Sequence, residues 1–237
     1  MNKQVGLARN FTIGWLNEAA DCQRFGKTIT EAHEHLDEML SQSLTSKDNI
    51  RKTRDILLNV WYRNESPFQE KAIQLLNEIT TGDRLPIHWA LLLIRYPIFL
   101  DLVAVIGSLL KYRDDVKLAQ IKEKVFELWG ARETLVHSLS KNLQSLKDIG
   151  VLEPIGRDGT YRPISYKIDD VQIVSLICAT IIKVTSHEYM SWEEICQHPA
   201  LFPFQIENVT QNDVAASDML SLERVGDTVV LRLKEIQ

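Results

Sequence analysis

Apolar residues along the first half of the chain return every three or four positions. Ile29, Ala32, Leu36, Leu40 and Leu44 do so behind Thr28 or Thr30, either of which starts a helix, and this spacing predicts one amphipathic helix. Thr45-Ser46 opens a second, SKDNIRKTRDILLNVWY. Pro67, at a first-turn position where no N–H is needed, opens a third, PFQEKAIQLLNEIT. An apolar pair around Tyr96-Pro97 follows, and then DVKLAQIKEKVFELWG, which stops at Gly130. Five or six helices with no strand between them predict a helical bundle over residues 1–114.

After Gly130 the texture changes. ARETLVHSLSKNLQSLKDIG carries Leu135, Leu139, Leu143, Leu146 and Ile149 on one helical face and closes on Gly150. Two β-prone runs then flank Arg157-Asp158-Gly159, where Asp-Gly is a hairpin signal. Helix, the short Ala131-Arg132 connection, helix and hairpin make the order of a winged helix-turn-helix over residues 115–168. In residues 169–237 the plan returns. Asp169 or Asp170 caps an apolar helix from Val171 to about Val184, and Ser191-Trp192-Glu193-Glu194 has the form of a capping box. Thr210-Gln211-Asn212-Asp213 repeats that form more weakly, and LSLERVGDTVVLRLKEI alternates around Gly226-Asp227. The expected fold is therefore mainly α: an N-terminal helical bundle followed by winged-helix-like domains with short β-hairpins.

The run from Ile87 to Leu110 is almost long enough to span a membrane, but it holds Arg95, Pro97 and Asp101 near its middle. An Arg and an Asp at a span centre cost about 2.5–3.5 kcal/mol each, against gains of about 0.3–0.6 for each Leu or Ile. Two core helices broken at Tyr96-Pro97 are expected instead, with Arg95 and Asp101 in a buried ion pair with each other or with neighbouring helices. The first residues show no signal-peptide pattern, and Cys22, Cys178 and Cys196 form no CxxC pair. A reducing cytoplasm is the expected compartment.

Charge divides the chain more sharply than its net of −5 over 237 residues suggests. Residues 1–114 hold 14 Lys and Arg against 14 Asp and Glu, residues 115–168 hold nine against seven, and residues 169–237 hold four against 11. Duplex binding needs a local excess of cations to replace condensed counterions. With the leucine stripe buried, the helix after Gly130 presents Arg132, Thr134, His137, Ser138, Lys141 and Gln144, and the wing adds Arg157, Tyr161, Arg162 and Lys167. Lys47, Arg51 and Arg54 form a second basic line on one helix face, diluted by Asp48 and Asp55. That line reads equally as a phosphate contact or as a solvated face with local ion pairs. A net of −7 makes the last segment a protein-contact or self-association domain instead.

Catalytic motifs are missing. No GxSxG, Walker loop or GxGxxG occurs, so neither an enzyme nor a cofactor is expected. His33 and His35 lie two apart on a helix and point about 200° from each other, so they cannot share a metal. Cys196 and His198, with His187 nearby, lack a matching second pair of ligands, and no metal site is expected.

From about Lys27 to Lys167 the chain resembles the accessory A proteins of BREX phage-defence systems. SLTSKDNIRKTRDILLNVW, PIFLDLVAVIGSLL and SLSKNLQSLKDIGVLE carry the resemblance. It implies a non-catalytic, DNA-binding accessory of the bacterial cytoplasm, built of a helical bundle and a winged-helix-like end. The acidic residues after 168 depart from that family's pattern. Double-stranded DNA is thus the expected partner, with other defence-system proteins meeting the acidic domain. A protein adaptor without DNA contact and an RNA-binding bundle are the alternatives.

Overall fold

The computed structural model describes residues 6–80 and 84–234. Six helices build the bundle: α1 (Ile13–Arg24), α2 (Ile29–Ser41), α3 (Lys47–Trp61), α4 (Ser66–Leu76), α5 (Leu85–Arg95) and α6 (Pro97–Leu110). Thr28, not Thr30, starts α2: its hydroxyl accepts from Glu31 N–H while the Glu31 carboxylate accepts from Thr28 N–H. Proline stands in the first turn of α4, α5 and α6. The helix α1 lies in the stretch whose pattern is helical nearly throughout, but the sequence does not delimit it, because the side chains it buries, Leu16, Ala19, Ala20 and Cys22, give a weak apolar signal.

The apolar run breaks at Tyr96, where α5 and α6 meet at 117°, and among the described residues no single helix is long and apolar enough to cross a membrane. Of the two expected arrangements, Arg95 and Asp101 do not pair with each other, and each reaches a neighbouring helix instead. Arg95 is exposed and donates to Asn59 at 3.4 Å, whereas Asp101 accepts from Trp129 Nε1 at 2.8 Å. The bend turns the two side chains toward different neighbours. Trp89 on α5 and Trp61 on α3 are fully buried in the core between these helices.

A winged unit follows. Strand β1 (Val116–Lys117) replaces the helical start expected at Asp115, and it leads into α7 (Leu118–Trp129), α8 (Glu133–Asp148), β2 (Leu152–Ile155) and β3 (Thr160–Pro163). The sheet order is β1-β3-β2, antiparallel throughout, with Tyr161 opposite Val116 and Pro154. Gly159 has φ +76° and lies so close to Leu118 that an added Cβ would stand 3.3 Å from its side chain. A side chain there would strain the hairpin turn and crowd the start of α7.

The last third repeats this plan. After β4 (Tyr166–Ile168) come α9 (Val171–Thr185), β5 (Tyr189–Ser191), α10 (Trp192–Cys196), a 3-10 turn (Pro199–Leu201), β6 (Phe204–Ile206), α11 (Gln211–Ala215), β7 (Leu220–Val225) and β8 (Thr228–Leu233). Asp170 caps α9, and Ser191 and Thr210 cap α10 and α11 through reciprocal bonds with Glu194 and Asp213. The sheet order β5-β8-β7 matches β1-β3-β2 strand for strand. An insertion between α10 and α11 fastens this unit to the rest. Its β6 pairs in parallel with β4, and Phe202 and Phe204 stack edge-on against Trp89 at 6.2 and 5.6 Å. Its 3-10 turn lies on α6 at Gly107, where a Cβ would stand 2.1 Å from the Pro199 carbonyl oxygen.

Candidate nucleic-acid interface

The helix α8 is the element on which a groove-binding reading depends, and its buried arc is wider than the leucine stripe alone. Leu135, Leu139, Leu143 and Leu146 are buried, and so are Ser138, Asn142 and Ser145. These three polar residues, spaced four and three apart, hold the chain that precedes α1. Ser138 Oγ donates to the Leu7 carbonyl at 2.6 Å, Asn142 Nδ2 donates to the same oxygen at 3.0 Å, and Phe11 N–H donates to Ser145 Oγ at 2.9 Å. Ser138 is therefore withdrawn from the nucleic-acid set: its hydroxyl faces the protein and is spent on a backbone carbonyl.

The opposite arc of α8 stays open. Thr134, His137 and Lys141 are exposed on one line, with Gln144 half-buried below them. His137 Nε2 lies 3.7 Å from Glu133, and Gln144 donates to Asp148 at 2.6 Å, so the ends of the line are tied to local carboxylates. Arg132, half-buried, stands at the cap position before the helix.

On the wing, Arg157 lies in the turn between β2 and β3, and Arg162 lies on β3; both are exposed. The Asp158 carboxyl is held below the usual carboxylate range by its hydrogen bonds to Thr160, and it accepts from Thr160 N–H at 3.3 Å. Tyr161 is half-buried within the sheet and packs against the core, so most of its ring serves the fold. Lys167 is corrected: it belongs to β4, beyond the wing, and pairs with Glu207 at 2.8 Å. Among the described residues, Lys141, Arg157 and Arg162 have no carboxylate partner.

The basic line on α3 does not survive as a phosphate site. Arg54 is buried, and its guanidinium meets Asp37 at 2.6 Å and Asp55 at 3.3 Å. Arg51 is exposed but pairs with Asp48 at 2.9 Å and Asp55 at 3.6 Å, and Lys52 pairs with Asp48 at 2.7 Å. Lys47 alone is exposed with no ion pair among the described residues. The reading of this helix as a solvated face with local ion pairs is the one its geometry fits.

Chemistry elsewhere is structural. His33 lies 3.6 Å from Asp37 and His35 lies 3.0 Å from Glu18, on separate neighbours. Burial pushes the Cys178 thiol up, away from a reactive thiolate. Among the described residues no group of three or more His, Cys, Asp or Glu is placed to hold a metal ion. His88 is fully buried, with Nδ1 accepting from Trp61 Nε1 at 3.2 Å and Nε2 facing Asn17 Oδ1 at 2.9 Å. Burial and the nearby Arg84 push its pKa down to about 3, so it is neutral and serves packing.

Six of the thirteen residues expected from the sequence thus stand at the surface of the first winged unit: Arg132, Thr134, His137 and Lys141 along α8, and Arg157 and Arg162 on the wing. The residues missed in the sequence are Asn142 and Ser145, which bind the leading segment; their three- and four-residue spacing from Ser138, inside the leucine arc, was the available signal. Compared with known proteins, the chain matches no family model, no curated protein and no solved structure.

Proposed function

We propose that this is a non-catalytic, double-stranded DNA-binding protein that lays the outer face of α8 against a groove and the β2–β3 wing against the adjoining backbone. The observation that carries the reading is the exposed trio Lys141, Arg157 and Arg162, free of carboxylates among the described residues and distributed over a helix of 16 residues and its wing. A helix of that length runs about 24 Å, enough to follow a major groove. Phosphate neutralisation supplies the affinity, and Thr134 and His137 are the side chains in reach of base edges. Three phosphate contacts give a logarithmic salt slope of about −2.7. Service as an accessory of a bacterial phage-defence system is supported by the resemblance carried by residues 27–167.

Replacing Lys141, Arg157 and Arg162 together with Ala tests the reading. Fluorescence anisotropy with a labelled duplex at about 50 mM salt, where counterion release is strongest, should show affinity falling more than tenfold in the variant. Equal affinity of the variant and the parent would remove this face from the function. A preference for single-stranded RNA over duplex DNA would favour the RNA-binding alternative.

A further inference from the structure

The second winged unit carries a surface of a different kind. Its hairpin and α10 enclose two adjoining shallow clefts of 450 and 610 Å³ that share Ser191, Glu193 and Thr228. Tyr189, Val225 and Val229 stand around them, 40%, 39% and 41% exposed. Tyr189 and Val225 share one face of the sheet at the first cleft and Val229 stands on the other face at the second, so each cleft has exposed apolar side chains beside its carboxylates, as a contact surface has. The charge at this site is negative. Glu193, Glu194 and Asp227 line the clefts. Glu194 is engaged with Ser191 at the cap, and among the described residues Glu193 accepts from the neutral Gln197 at 3.0 Å and pairs with no cation. Among nearby cations, Arg232 is held by Glu188 and Glu223, while Arg224 is exposed on β7.

The complement to this surface is on the same chain. The first winged unit exposes Lys141, Arg157 and Arg162 without carboxylate partners among the described residues, and it also leaves Leu128 and Val136 53% and 39% exposed. Among the described residues of one chain none of these cations pairs with Glu193, Glu194 or Asp227, which leaves both surfaces open to a second molecule. We infer that the acidic, apolar cleft of the second winged unit is a docking surface for a second copy of this chain, received through the basic face of that copy's first winged unit.

Such a contact joins two unlike surfaces, so it does not close on itself: each added copy leaves one cleft and one basic face open, and the assembly grows with concentration. Its charges lie at the surface and are screened by salt. Duplex DNA occupies the same basic face, so DNA and a second copy exclude each other there. The self-association is independent of the DNA reading, because it is measured without nucleic acid.

Light scattering coupled to size exclusion, on the full chain at rising concentration and at roughly 50 and 500 mM salt, tests it. At low salt the mean mass should rise beyond one chain with concentration, and at high salt it should return to one chain. The reversal Glu193→Lys with Asp227→Lys should give a monomer at low salt, as should Lys141→Glu with Arg157→Glu and Arg162→Glu. Mixing the two variants should restore association at low salt, because the intact cleft meets the intact basic face and the two reversed surfaces again carry opposite charges. Circular dichroism identical to the parent confirms that each variant is folded, and Val229→Ser serves as a charge-neutral second lesion of the cleft, expected to lower the mean mass. A monomer at every concentration overturns the inference, and so does association that neither reversal changes. Retained duplex binding by the Glu193→Lys, Asp227→Lys variant keeps a failure here apart from a failure of the DNA reading.

Discussion

The order β1-β3-β2 in the first winged unit and β5-β8-β7 in the second arises from one succession of elements, yet α8 has 16 residues and α11 has five. A five-residue helix is about 7.5 Å long and cannot lie along a groove. Residues that lengthen the third helix in the first unit go instead, in the second, to the 3-10 turn and β6 that clasp α6, Trp89 and β4. Charge follows the same division, with two more cations than anions in residues 115–168 and seven fewer in residues 169–237. The shared topology is set by hairpins and caps, which need few residues; what each unit offers a partner is set by helix length and surface charge, which vary without disturbing that topology.

The sharpest way to break the comparison is to lift the second unit from its seat. Gly107→Ala places a Cβ 2.1 Å from the Pro199 carbonyl oxygen and 2.9 Å from its carbon, both backbone atoms that cannot rotate away. The variant should lose about 3 kcal/mol in denaturant unfolding. Limited proteolysis should then cut first between residues 186 and 234, while duplex affinity of the intact molecules stays at the parental level. Parental stability would mean that the contact at Gly107 does not hold the two units together.

Acid should instead weaken the support common to both units. His88 is held neutral, its pKa down at about 3 against about 6.5 in an unfolded chain. A depressed value means that the unfolded state takes up the proton first, so the stability is fully present above pH 6.5 and is lost as pH falls toward 3. At about 1.4 kcal/mol per unit, the loss by pH 4 is about 3 kcal/mol. Between pH 6.5 and 5 few exposed carboxylates titrate, and hydrogen exchange should show both winged units losing protection together. If His88→Gln unfolds with the same pH slope as the parent, the buried imidazole is not its source.

The bundle and the two hairpins were legible in the sequence because period and turn chemistry announce them. The Leu36–Leu40 line, the pair flanking Pro97 and the turns at Gly159 and Gly226 all stand where those signals place them. The pairing of β4 with β6 was not legible, since three-residue strands have no period and Tyr166 finds Phe204 38 positions further on through an insertion with no repeat partner. Part of the site was lost for a different reason. Ser138 and Arg54 are polar and share spacings with exposed neighbours, yet Ser138 follows Leu135 by three and Arg54 precedes Leu57 and Leu58 by three and four, inside the buried arcs. Their partners, Leu7 and Asp37, lie 131 and 17 positions away, and no local pattern links them.

That correction can be sharpened by a smaller effect. Ser138→Ala removes the 2.6 Å bond to the Leu7 carbonyl and leaves that oxygen to Asn142 alone. It should cost about 1–2 kcal/mol of stability and leave duplex affinity unchanged. Lys141→Ala, on the open face of the same helix, should do the reverse. A tenfold loss of affinity in Ser138→Ala would return this residue to the interface.

The smallest expected effect belongs to the second unit alone. Ser191 Oγ accepts from Glu194 N–H at 3.2 Å, and the Glu194 carboxylate accepts from Ser191 N–H at 2.7 Å. The Ser191 N–H and the Ser191 hydroxyl, which donates to the same carboxylate at 2.8 Å and is the part that Ala removes, hold the Glu194 carboxyl below its usual range. Ser191→Ala should cost about 1 kcal/mol at neutral pH, with no change in duplex binding. A lowered carboxylate pKa contributes stability that is present above the unfolded value and lost as pH falls through the folded one. The gap between parent and variant should therefore be widest at pH 7 and narrow below pH 4, read from denaturant midpoints at both. A gap that does not change with pH would assign the cost to the hydroxyl alone and leave the carboxylate without a part in the cap.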